Sequence, residues 1–202
     1  DTDAGWEREA LPLGNCRLGS MVFGQLARDL LPFHEITLWS GDERTMGAYQ
    51  PFGDVLVELA GHDQPVAGYR RELLLDRALH RVAYTLGGVR FEREAFASHP
   101  AQAVVLRLTA DRPGQYSGAV SLTDMHGAHR RAVGTRLYAT GSLAGWVLPA
   151  DADAAPSTNP MSYASQLQLL HEGGKVQVQG DKLVFERCDS LTLVLGAGTS
   201  YV

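Results

Sequence analysis

The stretch "HRVAYTLGGVRFEREAF" (His80–Phe96) decides the fold class. Gly87-Gly88 divides two runs rich in β-branched and aromatic residues, and a Gly pair readily takes the positive φ values of a primed hairpin turn. The two runs, Arg81–Leu86 and Val89–Phe96, therefore predict antiparallel strands. In the second run Val89, Phe91, Arg93 and Ala95 fall on one face and Arg90, Glu92, Glu94 and Phe96 on the other, because successive side chains of a strand alternate. One face is largely charged and predicts a solvated sheet surface.

The same grammar continues in both directions. "LGSMVFG" (Leu18–Gly24) and "DVLVEL" (Asp54–Leu59) predict strands, the latter with Val55, Val57 and Leu59 on one face, and "RELLLD" follows at 71–76. "AVVLRLTA" (Ala103–Ala110) closes in the turn "DRPG", and "QYSGAVSL" alternates Tyr116, Gly118, Val120 and Leu122. "KVQVQG" and "DKLVFE" flank a Gly180-Asp181 turn, and "SLTLVLGAG" is apolar enough to predict burial on both faces. Ten or more strands at sandwich-like spacing make the chain all-β with little helix. Two helix candidates are weak: Pro32 stops any helix through "GQLARDLLPF", and "SYASQLQLL" (Ser162–Leu170) fits either state. "PADADAAPSTNPMS" (Pro149–Ser162) reads as a long exposed loop without a domain boundary.

The 202 residues, 45% hydrophobic with 22 Gly and 9 Pro, suit one large domain with many turns. A formal net charge of -5 argues against a nucleic-acid partner, since phosphate backbones are met by clustered positive charge. No apolar run reaches membrane-spanning length, and no basic-then-apolar leader is present. With Asp at position 1, the chain is expected to be a processed form or a cut fragment. Cys16 and Cys188 lack metal or CxxC spacing and read as free, buried thiols. Cys16 has Arg17 beside it but no His within reach in sequence and a strand, not a helix, after it, so it reads as structural. "HGAH" (His126–His129) reads as a loop, not as a metal site, and no metal or cofactor is implied. Glu7, Glu9, Glu35 and Asp42 lie near Trp6 and Trp39, a mixture of acids and aromatics that suits sugar binding. Large aromatics are mostly buried, so Trp6 and Trp39 are expected as core anchors.

Six ordered blocks add what periodicity does not. "WEREALPLGNCRLGSMVFG", "FHEITLWSG", "YQPFGDVLVEL", "YRRELLLDRA", "FEREAFASHPAQAVVLRLTADRPG" and "LVLGAGTSY" run from Trp6 to Tyr201. Together they resemble the N-terminal domain of glycoside hydrolase family 95, chiefly α-L-fucosidases with some α-L-galactosidases. The resemblance implies a β-sandwich of two antiparallel sheets (a supersandwich) over residues 1–202, followed in the parent by an (α/α)6 barrel holding the acid and base of an inverting mechanism. It implies no catalytic residue here, and the barrel of the same polypeptide and a fucosylated glycan as partners. Asn15, Arg17, Glu35, Trp39 and Tyr49 are the candidates for the substrate cleft or domain interface, and a secreted or periplasmic setting is implied. A free-standing carbohydrate-binding module, using Trp6, Trp39, Trp146 or Tyr49, and an inactive scaffold stay open as alternatives. Two departures stand out: Cys16 occupies the second Gly of the family's "LGNGRLGAMVFGG", where Ser20 also replaces Ala, and His34 and Ile36 alter "LNEDTLWSG". If position 16 requires positive φ, Cys16 is strained by about 1 kcal/mol or more.

Overall fold

The computed structural model describes residues 3–41, 46–147 and 157–201. Among them a short helix, α1 (Asp3–Arg8), precedes fifteen strands. One sheet has seven strands, in the order β1 (Leu11–Gly14), β2 (Leu18–Val22), β3 (Arg28–Glu35), β4 (Gly53–Leu59), β9 (Tyr116–Leu122), β14 (Lys182–Cys188) and β13 (Lys175–Gln179). The other has eight: β10 (His129–Val133), β11 (Arg136–Ser142), β12 (Ser162–Glu172), β15 (Ser190–Thr199), β8 (Ala103–Ala110), β7 (Val89–Ser98), β6 (Leu79–Leu86) and β5 (Ala67–Leu74). All pairings given by the register are antiparallel, so the chain is the expected all-β sandwich.

The deciding hairpin forms as read. Leu86 pairs with Val89 across Gly87 and Gly88, whose φ values are 58° and 75°. Val89, Phe91, Arg93 and Ala95 point into the core, and Arg90 and Phe96 are exposed. The layers meet where Leu31 and Val55 of the seven-stranded sheet oppose Leu106, Leu167 and Leu193 of the other, around one small void. Each of these leucines, truncated to Ala, would cost about 2–5 kcal/mol in lost burial and cavity formation.

Several expectations change. In β15, Ser190, Leu191, Leu193 and Leu195 are buried, while Thr192 and Val194 are half-buried because they lie on the outer face of the eight-stranded sheet. Residues 28–35 and 162–172 are strands. Pro32 is tolerated within β3 because the ladder to β2 stops at Ser20↔Phe33, next to it. "RELLLD" belongs to a strand that begins earlier, at Ala67, and ends at Leu74. His129 of "HGAH" opens β10, although His126 stays in a loop. Both thiols are free, but Cys16 is exposed and only Cys188 is buried. Trp6 on α1 and Trp39 are exposed, not core anchors. The predicted loop over 149–162 lies partly outside the described residues, up to 156; Asn159 within it is buried.

Arg93 is the one cation on the inward face of β7, and it is buried to the same 2% exposure as its partner Asp29. Its guanidinium donates to Asp29 Oδ2 (3.3 Å), the carbonyls of Gln25 and Leu26 (2.5 Å each) and the Tyr84 hydroxyl (3.1 Å). Asp29 Oδ1 meanwhile accepts the backbone N–H groups of Gly24 and Gln25. This latch holds the β2–β3 connection at one end of the sandwich. The candidate residues gather at the other end of the same two strands.

Candidate functional site

The β1–β2 turn is built around Asn15. Its N–H donates to the Leu18 carbonyl, its Oδ1 accepts the N–H groups of Arg17 (3.1 Å) and Leu18 (2.7 Å), and its Nδ2 donates to the Ser98 carbonyl on β7 (2.9 Å). Asn15 thus rigidifies the turn and ties the seven-stranded sheet to the eight-stranded one. Cys16 sits in this turn at φ 73°, so the condition under which the position strains a non-glycine residue is met.

Arg17 reaches from the turn to the end of β3, where its Nε donates to Glu35 Oε1 at 3.0 Å. Its backbone carbonyl accepts the Ile36 N–H at 3.0 Å. Glu35 is fully buried, and its second oxygen, Oε2, accepts the N–H (2.9 Å) and the hydroxyl of Thr37. Thr37 in turn hydrogen bonds the Thr199 hydroxyl at the end of β15, whose oxygen also accepts the Tyr201 N–H. A carboxylate removed from water needs such full pairing.

Trp39 follows from this anchored loop. It forms an isolated antiparallel bridge with Tyr49, and the two rings meet edge-on at 6.2 Å. Tyr49 also contacts the His34 ring at 5.3 Å, and burial and the Glu35 charge raise its phenol pKa. Burial lowers the pKa of His34. The imidazole lies over Gly19, its β-sheet partner, where any Cβ would approach the ring to 2.5 Å. With His34 in this position, residue 19 has no room for a Cβ unless the ring moves.

The structure brings Asn15, Arg17, Glu35, Trp39 and Tyr49 to one end of the sandwich. Beside them lies a hollow of about 570 Å³ lined by Ile36, Thr37, Trp39, Gly41, Thr158, Asn159, Pro160, Met161 and Tyr201. Its rim is apolar and exposed at Ile36, Trp39 and Tyr201, with polar groups at Thr37 and Asn159. Small-molecule sites and docking faces share this makeup, broad apolar area with a few fixed polar groups. Trp6 and Trp146 stand apart: Trp6 is on α1, and Trp146 is half-buried against the His126 ring at 4.8 Å.

Sequence reading missed Asn159, Thr199 and Tyr201. Asn159 Nδ2 donates to the carbonyls of Trp39 and Gly41, both at 2.9 Å, while its Oδ1 accepts the Met161 N–H. It fixes the Trp39 loop from 120 residues away in sequence, and an Asn-Pro pair in a polar segment reads only as a turn. Among the described residues no group of three or more His, Cys, Asp or Glu side chains is arranged to hold a metal ion. Nor is any helix there long and apolar enough to cross a membrane.

The chain is 28% identical over 243 aligned residues to alpha-L-fucosidase 2 of Arabidopsis thaliana, covering 96% of this chain and 29% of the relative. It is 25% identical over 143 residues to probable alpha-fucosidase A of Aspergillus niger, covering 50% of this chain and 18% of the relative. The chain thus spans under a third of the length of either relative. Among solved structures, a chain described as a kojibiose phosphorylase from human microbiome superposes over 98% of this chain and 31% of its own, with a TM-score of 0.49 at 10% identity. The family model described as "Glycosyl hydrolase family 65, N-terminal domain" matches residues 2–47 and 43–202, so nearly the whole sandwich, with its anchored Glu35 and Trp39 loop, belongs to that family.

Proposed function

We propose that this chain is the non-catalytic N-terminal domain of an α-L-fucosidase-like glycoside hydrolase, and that its Trp39 end packs against a downstream helical barrel and helps shape the glycan cleft. The parent would hydrolyse α-L-fucosidic or α-L-galactosidic bonds with inversion, in a secreted or periplasmic setting. The observation that carries this reading is the apolar hollow at the Trp39 end, held rigid by the Asn15, Glu35 and Asn159 hydrogen bonds. A surface fixed this firmly yet left apolar suits a constant partner. Within the site, Glu35 has both oxygens engaged and no exposure, which favours a positioning role over proton transfer.

The purified chain is expected to release no sugar from an α-L-fucoside, and the reading frame past Val202 is expected to encode a helical barrel. Clear turnover by residues 1–202, or a frame without such a barrel, would overturn the proposal. The exposed Trp39 and Tyr49 pair supports a second reading, a free-standing carbohydrate-binding module. Calorimetry with fucosylated oligosaccharides separates the two: binding abolished by Trp39→Ala supports the module, and no heat at millimolar sugar removes it.

A further inference from the structure

The outer face of the eight-stranded sheet holds a second recess, of about 470 Å³, that the Trp39 hollow does not account for. The size falls within the range of roughly 300–1,000 Å³ typical of small-molecule sites. Its floor includes Gly196 of β15 and Ala164 of β12, and its walls include Tyr138 and Thr140 of β11, Gln166 of β12 and Gln102. Gly196 is the telling residue. Its φ is outside the left-handed range, and a Cβ there would meet nothing within 4 Å, so neither backbone conformation nor packing demands glycine. A glycine in a strand interior weakens the strand and often marks a close approach by a ligand or another backbone.

The lining chemistry narrows the ligand. None of the twelve residues around the recess is charged, and the two cations that flank it are engaged by its lining, Arg131 on the Tyr138 ring and Arg136 through its Nε on Gln168 Oε1. The neighbouring part of the same face, by contrast, carries Arg81, Glu92, Glu94 and Arg107, with Arg81 and Glu92 ion-paired at 2.7 Å. Gln166 is paired in register with Tyr138 on one side and Gly196 on the other, so amide, phenol and open floor lie side by side. Arg131 of β10 stacks on the Tyr138 ring at 4.7 Å and fixes it as a wall. The strands here are interior to the sheet, so their ladders are occupied and an incoming peptide gains no strand pairing. Amides, hydroxyls and a ring without charge match a neutral polyhydroxylated ligand, which offers hydroxyls for hydrogen bonds and C–H faces for stacking.

We propose that this recess is a neutral-oligosaccharide subsite, separate from the Trp39 end and holding glycan on the flank of the sandwich. It does not depend on the fucosidase reading, since it rests on the recess and its lining alone. The test is NMR titration of the chain with maltotriose and with fucosyllactose, a sialylated trisaccharide serving as the charged control. Saturable shifts at Gln166 and Gly196 are expected with at least one neutral sugar in the millimolar range. Gly196→Leu, whose Cβ would meet nothing within 4 Å, covers the floor and should weaken that binding about tenfold or more without lowering Tm; Tyr138→Ala should weaken it likewise, and Trp39→Ala should leave it intact. No shifts in the wild type, binding that survives Gly196→Leu, binding that tracks Trp39, or shifts that follow protein concentration instead of sugar would each overturn the proposal.

Discussion

Replacing Cys16 by Gly should stabilise the protein. The residue sits at φ 73° in the turn where the Asn15 N–H donates to the Leu18 carbonyl, with Cys16 and Arg17 as the two loop residues. Only the first of the two has positive φ, the sign pattern of a II′ hairpin turn, which normally places Gly there. An L-residue in left-handed backbone costs about 1–2 kcal/mol. Glycine removes that strain but adds about 0.4–1 kcal/mol of unfolded-state entropy, leaving a net gain of about 0.5–1 kcal/mol. The thiol is exposed, so its removal forfeits no buried contact. For a domain of this size the gain corresponds to a rise in Tm of about 1–4 °C. Urea melts and thermal scans under reducing conditions should show the rise for Cys16→Gly and none for Cys16→Ala, which keeps the Cβ and therefore the strain. An equal rise for both variants, or a fall for Cys16→Gly, would refute backbone strain as the cause.

Three further outcomes follow from other parts of the molecule. Arg93→Ala strands the buried Asp29 carboxylate and frees the Gln25 and Leu26 carbonyls, so a loss of about 3–5 kcal/mol in urea unfolding is expected, and a loss under about 1 kcal/mol would contradict the latch. His62 and His80 are buried and neutral, their pKa values lowered from 6.5 to about 4 chiefly by burial, so the unfolded chain binds protons there that the native one does not, and stability is lost as pH falls from about 6.5 to 4. Each histidine contributes about 3 kcal/mol to that loss, and Asp29, raised to about 6 by burial, offsets about 3 kcal/mol in the opposite sense, so a net decrease of about 3 kcal/mol is expected and a flat pH profile would rule it out. The exposed apolar rim at Ile36, Trp39 and Tyr201 should make the isolated chain self-associate, with Trp39→Glu restoring the monomer; sedimentation of the wild type as a monodisperse monomer at high concentration would count against it.

How much of this was legible depended on how far each feature is local. The β6–β7 hairpin is readable because Val82 and Tyr84, and Phe91 and Ala95, fall on one buried face of two β-rich runs that flank a Gly pair. β10, "HRRAV", is not readable, because it is an edge strand with no buried residue and so no alternation to detect. Trp39 was expected inside on the rule that large aromatics are buried, yet its indole Nε1 donates to the Met46 carbonyl in an exposed loop. The question of φ at position 16 arose from resemblance to a sequence with Gly there, which periodicity alone does not supply. Asn159 and Thr199 meet Trp39 and Thr37 from 120 and 162 residues away, and no local pattern encodes such a contact.

The two ends of the β2–β3 hairpin solve one electrostatic problem in different ways, and the difference bears on function. At the Asp29 end both charges are buried, so the pair serves the fold and is closed to any partner. At the Glu35 end the carboxylate is fully buried but Arg17 is 48% exposed, leaving guanidinium surface beyond the Nε bond to Glu35. Glu35→Gln keeps the shape and can still accept from Thr37, but it removes the charge that orients Arg17 and leaves an amide N–H₂ facing the donors that had met an oxygen. A charged hydrogen bond of this kind contributes about 1.5–3 kcal/mol, so a loss in that range is expected in urea unfolding, with the Arg17 and Trp39 backbone resonances shifting together. The decisive comparison is Arg17→Ala: if Glu35 mainly needs a counter-charge, this variant destabilises as much as Glu35→Gln, whereas if Thr37 holds the carboxylate, the Trp39 loop survives Arg17→Ala. The Glu35 contacts favour the second outcome, since Thr37 supplies both an N–H and a hydroxyl to Oε2 and continues to Thr199. The Arg17 ion pair is then dispensable to the loop, whereas collapse of the Trp39 resonances in Arg17→Ala would show that the ion pair itself supports it.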